Sequence, residues 1–286
     1  MRRHADRAAP TYLAAARLEQ EVGARMLERL DYVKLAPARI LDAGSGPSPQ
    51  AHELAKRYRA AHLVALDASE PMLREIKSGS FVGRFVGRIS GRTRSAAVCA
   101  DFGRMPFAAG SFSLVWSNMA LHWGADPRRA IGEFHRVLEV EGLLMFSTLG
   151  PDTLKELRAA VAGSAGPRRV HAFIDMHDLG DMLVAAGFAA PVMDTETITL
   201  TYADAAAMTA DLRASGQTCA LAARPRGLLG RAQWQAMRAA LDGQMRAGRL
   251  PATIEVVYGH AWKAASRRTP EGHAVVDFAG PARVRN

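Results

Sequence analysis

Apolar positions along the chain switch repeatedly between helical and strand spacing. In residues 14–34, Leu18, Val22, Met26, Leu27 and Leu30 recur at three- and four-residue steps, which predicts a helix. Residues 39–46 (RILDAGSG) form an apolar run that closes on glycines, a strand entering a tight turn. Helical spacing follows over 50–60. His62–Asp67 (HLVALD) predicts a second strand, and 70–78 a helix with Ser69 as its N-cap and Pro71 in its first turn. Residues 79–94, rich in Gly, Ser and Arg, read as a loop. Further strands are predicted over 96–100, Phe112–Ser117 and 142–149, with a helix over 126–138. Strands alternating with helices predict βαβ units and a mostly parallel sheet, an α/β fold.

Beyond residue 150 the pattern changes. Residues 151–161, 176–186, 202–214 and 231–247 read as helices. Residues 195–201 (TETITLT) alternate, which suits an antiparallel strand, and 252–262 form the last strand. Residues 216–230 read as a loop and 265–286 as a frayed tail. No internal repeat is evident.

Composition narrows the class. The chain has 286 residues, of which 49% are hydrophobic and 23% charged, and a mean hydropathy of −0.06. That excludes a disordered chain. No run approaches the roughly 18 uncharged apolar residues of a membrane span. The first residues carry Arg2, Arg3, His4, Asp6 and Arg7 without an apolar core, so no signal peptide is expected. Two cysteines, Cys99 and Cys219, allow at most one bridge, and no CxxC or Cys/His cluster suggests a metal site. A reducing, cytoplasmic setting is expected. The net charge of +9, from 37 Lys and Arg against 28 Asp and Glu, favours anionic partners. Only five of the 37 are Lys, so the balance also fits the coding bias of a GC-rich genome. Without an RNP or helix-turn-helix signature, neither a nucleic-acid nor a membrane partner is expected.

The candidate chemistry sits at predicted strand ends. Asp42-Ala43-Gly44-Ser45-Gly46 lets backbone approach a ligand at the carboxyl edge of a sheet. Pro47-Ser48-Pro49 follows and removes the N–H donors that would cradle a pyrophosphate, which argues against a nicotinamide dinucleotide. Asp67, 25 residues after Asp42, ends the next strand, where an acid accepts hydrogen bonds from ribose hydroxyls or serves the following helix. Asp101-Phe102 offers an adenine amino group an acceptor and an apolar wall. Trp116-Ser117-Asn118, then Leu121-His122-Trp123, leave the fourth strand beside the glycine turn, with Trp116 and His122 open to simple packing roles.

These four strand-end signals together resemble the class I S-adenosylmethionine-dependent methyltransferases over residues 36–150. Met105-Pro106-Phe107 and Ser111-Phe112 extend the likeness. The resemblance implies a Rossmann-like fold: a mostly parallel seven-stranded sheet with helices on both faces and a C-terminal helical insertion. It implies S-adenosylmethionine as methyl donor, with Gly44, Ser45 and Gly46 at its methionine end, Asp67 at the ribose, and Asp101 with Phe102 at the adenine. Asp42, Ala68, Met72 and Asn118 complete the implied cofactor set. The family's usual third glycine is replaced by Pro47 or Ser48.

A narrower resemblance runs through the flanks. Arg7-Ala8-Ala9-Pro10-Thr11-Tyr12, the 116–123 segment, and 146–157 (FSTLGPDTLKEL) are similar to the malonyl-acyl-carrier-protein O-methyltransferases of biotin synthesis. So are 211–216 (DLRASG) and Leu250-Pro251-Ala252-Thr253, a tail also similar to a mitochondrial arginine hydroxylase that assists complex I assembly. His4 departs from the family's usual aromatic. This resemblance implies a malonyl-loaded acyl carrier protein as partner and carboxylate methylation, which needs no general base because a carboxylate is already nucleophilic at pH 7. The expected organisation is an N-terminal helical cap (1–35), a cofactor-binding core (36–150), a C-terminal part with a substrate-covering insertion (151–263) and a flexible tail (264–286), as a monomer.

Arg213 is the candidate partner for the malonyl carboxylate, because a guanidinium fork binds planar anions bidentately. Tyr12 is the candidate cap of the cofactor site, and Arg224, Arg226 and Arg231 are a candidate docking cluster. Two other readings stay open. A quinone or phenol methyltransferase would need a base, and His122 is the candidate. A non-methylating assembly factor would keep the fold and lose the transfer. A nucleic-acid amino-methylating enzyme is disfavoured, since Ser117-Asn118-Met119-Ala120 replaces its Asp/Asn-Pro-Pro-Tyr signature.

Overall fold

A computed structural model describes residues 2–79, 95–162, 170–221, 227 and 230–265. Helix α1 (Arg2–Ala15) and α2 (Arg17–Arg29) precede β1 (Arg39–Ala43), α3 (Ala51–Arg57), β2 (His62–Asp67), α4 (Glu70–Gly79) and β3 (Ser95–Cys99). Then come β4 (Phe112–Ser117), α5 (Pro127–Val137), β5 (Leu138–Leu149), α6 (Lys155–Ala162) and α7 (Met176–Ala185). The chain closes with β6 (Phe188–Tyr202), α8 (Ala205–Ala214), α9 (Arg231–Asp242) and β7 (Leu250–Lys263). The seven strands run in the order β3-β2-β1-β4-β5-β7-β6, parallel except for β7, which is antiparallel to both β5 and β6.

The central strands form because their side chains are apolar on both faces, as a sheet covered twice requires. Leu41 and Ala43 face one core with Val115, Leu144, Phe134 of α5 and Leu183 of α7. Ile40 faces the other, with Leu114, Trp116, Met145 and the α2 residues Val22 and Met26. Helix α5 is fixed at its start by Asp126, which accepts from the backbone N–H groups of Arg128 and Arg129, and by Pro127 in its first turn. Strand order reverses between β2-β1 and β1-β4. That switch point is where an open α/β sheet leaves a crevice beyond its strand ends.

Several boundaries differ from the sequence reading. The single helix expected over 14–34 is two, broken at Ala16, and the first starts at Arg2. Its fully buried residues are only Ala8 and Ala9, too small to register as a periodic stripe. Strand β5 begins at Leu138 rather than 142, because it pairs from Phe112 through an irregularity at which Glu141 takes φ 64°. Strand β6 starts at Phe188, earlier than 195, with a bulge between Ala189 and Val192. Helix α6 starts four residues late, since Asp152 N and Thr153 Oγ1 donate to Glu255 and hold 150–154 as a turn. Helix α8 begins only at Ala205, with Asp204 as its N-cap. Helix α9 stops at Asp242, followed by a tight turn between Arg246 and Arg249. The loop expected over 79–94 and the tail over 265–286 lie almost wholly outside the described residues.

Candidate active site

The carboxyl ends of β1, β2 and β4 share one crevice. Gly44 and Gly46 leave β1 with φ of 73° and 53°, the left-handed region open to glycine without steric cost. Gly44 N and Ser45 N donate to Leu66 O at 2.8 and 3.0 Å, which ties the turn to β2. Gly46 N donates to Asp67 Oδ2 at 2.8 Å and Ser69 N to Asp67 Oδ1 at 2.7 Å. Each carboxylate oxygen thus keeps a lone pair for a ligand hydroxyl. Burial raises the Asp67 carboxyl above its ordinary value, against the pull of these backbone donors.

Ser48 does the work of the missing glycine in a different way. It takes φ 51°, a conformation that costs a non-glycine residue about 1–2 kcal/mol. Its hydroxyl donates to the buried Asp42 carboxylate, which offsets that strain. Burial pushes Asp42 up to about 7, opposed by the Ser48 hydrogen bond and helped by nearby Asp67.

The adenine side is more open. Asp101 is exposed, and its Oδ1 accepts from Gly103 N at 2.8 Å. Phe102 lies 3.5 Å from the place a Gly44 Cβ would occupy. Ala68 is exposed beside Asp67, and its carbonyl accepts a weak bond from Cys99 Sγ.

Helix α1 roofs the crevice. Ser69 Oγ donates to Asp6 Oδ1 at 2.6 Å, and Met72 packs against Ala8 and Ala9, with Tyr12 at the edge of the cluster. The Tyr12 ring is the nearest group to the place of a Gly46 Cβ, at 3.8 Å. Burial, with Glu19, Asp67 and Asp42 nearby, raises the Tyr12 phenol well above its ordinary value. Thr11 Oγ1 donates to Ala214 O at 2.8 Å, so the end of α1 is fastened to the end of α8.

Beyond Tyr12 a cavity of about 650 Å³ opens. Its polar lining includes Glu19, His122, His171, Tyr202, Asp211 and Gln217. Glu19 is buried, accepts from Gln217 Nε2 at 2.8 Å, and is raised by that burial. Asn118 joins the two spaces: its Nδ2 donates to Glu19 O and its Oδ1 accepts from Ser147 Oγ, both at 2.8 Å. His122 contacts Thr148 Oγ1 through Nδ1 at 3.3 Å, while its buried Nε2 has no partner among the described residues. Burial, with His171 adding to it, lowers the His122 ring to about 3 and keeps it neutral.

That lowering has a sign for stability. Below about 6.5 the unfolded His122 binds a proton that the folded one refuses, so stability falls as pH drops from that value towards 3. The slope is bounded by about 1.4 kcal/mol per pH unit for one proton. Denaturant titrations at neutral and mildly acidic pH are expected to show His122→Asn losing less stability on acidification than the wild type. Equal losses would mean the imidazole is solvated.

A methyltransferase-domain family model matches residues 41–146. The chain is 51% identical over 276 residues to the malonyl-acyl-carrier-protein O-methyltransferase of Laribacter hongkongensis, covering 96% of this chain and 93% of that protein. The chain belongs to the malonyl-acyl-carrier-protein O-methyltransferase family. A second member, from Gallionella capsiferriformans, is 50% identical over 276 residues, covering 96% of this chain and 94% of that protein. Among solved structures, the YcgJ protein of Bacillus subtilis covers 86% of this chain and 99% of its own at a TM-score of 0.58 and 14% identity, which shows the shared fold. As a member of this family the chain is an S-adenosylmethionine-dependent methyltransferase with the class I Rossmann-like fold expected from its strand-end motifs.

Against that family frame, the structure brings most of the residues singled out by sequence into one place. Asp42, Gly44, Ser45, Gly46, Asp67, Phe102 and Tyr12 surround the crevice, and His122 lines the adjoining cavity. Met72 is committed to packing under α1, and both ends of the Asn118 amide are taken by protein partners. Arg213 is not brought in. It is exposed on α8, while its neighbours Leu212 and Ala214 line the cavity. Arg224 and Arg226 lie outside the described residues, and Arg231 is exposed at the start of α9. Sequence reasoning passed over Glu19, although it stands on the buried stripe Glu19-Val22-Gly23-Met26 of α2. An acid at helical spacing with core residues is the signal that could have found it. Among the described residues no cluster of three metal-ligating side chains is present, and no helix is long and apolar enough to cross a membrane.

Proposed function

We propose that this chain binds S-adenosylmethionine in the crevice under α1 and methylates the free carboxylate of a malonyl group carried on an acyl carrier protein, an early step of biotin synthesis. The residues present suit that cofactor. Asp67 retains two lone pairs for a ribose diol, Phe102 supplies an apolar wall, and the space above Gly46 is bounded by the Tyr12 ring. Gly44, Ser45 and Gly46 would hold the methionine end, and Asp101 would meet the adenine amino group. When bound, S-adenosylmethionine supplies an electrophilic methyl group.

The chain's own task is then to position and desolvate the acceptor. A carboxylate needs no base, so the neutral His122 acts in this reading as a donor. In this reading the Thr148 hydroxyl donates to Nδ1, which assigns the ring proton to Nε2, the buried nitrogen without a partner among the described residues. It would orient a carbonyl or carboxylate oxygen of the acceptor. The apolar part of the lining, including Leu18, Trp123 and Phe173, keeps water from that oxygen. Both cysteines are free, which accords with the cytoplasm as the site of the reaction.

The observation that carries this reading is the 51% identity across 96% of the chain. A match at that coverage takes in the segment between β6 and β7 that walls the cavity. Mass spectrometry of malonyl-loaded carrier protein, incubated with the protein and S-adenosylmethionine, is expected to show the gain of one methyl group. An unchanged mass alongside intact cofactor binding would overturn the reading in favour of a non-methylating relative.

A further inference from the structure

The surface beside the cavity mouth carries an arrangement of charge that the fold does not need. Helix α1 begins Arg2-Arg3-His4 with no acid in its first turn, against its own dipole. Arg3 and Arg7 stand four residues apart, a like-charge spacing that weakens a helix. Both are exposed, and neither side chain has a hydrogen-bond or ion-pair partner among the described residues. Exposed Arg74 pairs with Glu70, and half-buried Arg25 and Arg29 pair with Glu21 and Asp194. Isolated exposed arginines such as Arg128 and Arg238 also have no side-chain partner among the described residues, but Arg3 and Arg7 lie together on one helix face.

Helical spacing places these two arginines on one stripe of α1. Steps of four, four and three lead from Arg3 to Arg7, Thr11 and Ala14, and the last two line the cavity. At 1.5 Å per residue the stripe is about 16 Å long, the length of a short helix. Arg17 continues it at the start of α2 and lines the cavity from its exposed side. Arg213 flanks it from α8, whose end is bonded to Thr11. Neither Arg17 nor Arg213 has a side-chain partner among the described residues. The loop that carries the cavity residues Gln217 and Thr218 lies along α1 as far as His4, with Thr218 bonded to the His4 ring. Arg17 thus lines the cavity, and Arg3, Arg7 and Arg213, none with a side-chain partner among the described residues, stand on the two helices joined beside it.

We infer that this stripe of Arg3, Arg7, Arg17 and Arg213 is the docking surface for an acidic helix of the carrier protein, seated so that its acyl-bearing arm enters the cavity beside Arg17. The inference rests on the carrier-protein reading above and adds the face and the residues. An acidic helix laid along α1 relieves the repulsion between Arg3 and Arg7 and satisfies the helix dipole. Such a surface acts on encounter and affinity and leaves the reacting groups untouched.

Two readouts test it. The first is fluorescence anisotropy of labelled malonyl-loaded carrier protein titrated with the full chain. Arg3→Glu/Arg7→Glu is expected to weaken binding about tenfold or more and to remove most of its salt dependence. The second is methyl transfer to the malonyl thioester of pantetheine, which has no carrier protein attached. There the double variant is expected to match the wild type. Wild-type affinity for the carrier in the double variant overturns the docking surface. Loss on both substrates alike would mean α1 itself was disturbed. Arg3→Gln/Arg7→Gln then decides, since weakened carrier binding alone supports the surface and unchanged binding overturns it. Failure of the wild type to methylate either substrate would strike the proposed reaction instead, while the anisotropy comparison still judges the surface.

Discussion

Asp67→Ala is expected to weaken S-adenosylmethionine binding by roughly ten- to hundredfold. Both oxygens of this carboxylate are already aimed by backbone, Oδ2 by Gly46 N at 2.8 Å and Oδ1 by Ser69 N at 2.7 Å. A ribose diol would add charge-assisted hydrogen bonds worth about 1.5–3 kcal/mol in all, which converts to that range of affinity. The same substitution releases Gly46 N and Ser69 N, so the turn after β1 and the start of α4 loosen together. Asp67→Asn keeps one acceptor and the shape, and is expected to fall between wild type and alanine. Calorimetric titration of the folded variants checks this. Unchanged affinity in Asp67→Ala would end the ribose assignment. Asp101→Ala is expected to do less, because Asp101 is exposed and already accepts from Gly103 N. A larger loss at Asp101 than at Asp67 would reverse the order of importance along the strand ends.

What the sequence disclosed follows from where the information lies. Strands β1, β2 and β4 read cleanly because a parallel strand covered on both faces is a continuous apolar run. The acids and glycines that end those runs are then adjacent in sequence to the signal that locates them. His62–Asp67 and Phe112–Ser117 match their predicted bounds for this reason. Helix α1 was only partly legible, since it is held by Asp6 to Ser69, by Thr11 to Ala214 and by small alanines, none of which makes a periodic stripe.

The cavity was less legible still. Glu19 meets Gln217 at a separation of 198 residues, and Thr11 meets Ala214 at 203. No local pattern carries such a pairing. Arg213 shows the limit well. The insertion was expected to wall the substrate site, and Asp211, Leu212, Ala214 and Ser215 do line the cavity. Which residue of a helical turn faces inward depends on the angle at which α8 docks, and that angle turns Arg213 outward. The chemistry assigned to it, recognition of an anion, moves with it to the surface.

Gly44→Ala is expected to reduce cofactor affinity by about tenfold or more and to lower the melting temperature. Two costs act together. At φ 73° an added side chain strains the backbone by about 1–2 kcal/mol. The new Cβ would also lie 2.4 Å from the Cβ of Ala120, so one chain segment must move. The turn cannot yield easily, because Gly44 N is bonded to Leu66 O at 2.8 Å. The segment after β4 therefore shifts, and with it Asn118 and His122, which couple the crevice to the cavity. Restoring space with Ala120→Gly in the same chain removes the clash and leaves the strain. The double variant is accordingly expected to recover part of the affinity lost in Gly44→Ala, giving a favourable interaction energy in a double-mutant cycle. Cofactor titrations and thermal melts of the four proteins measure it. If Gly44→Ala binds as well as wild type, the turn is not the rigid cradle described. If the added glycine recovers nothing, backbone strain alone accounts for the loss, and the close approach of Ala120 has no part in it.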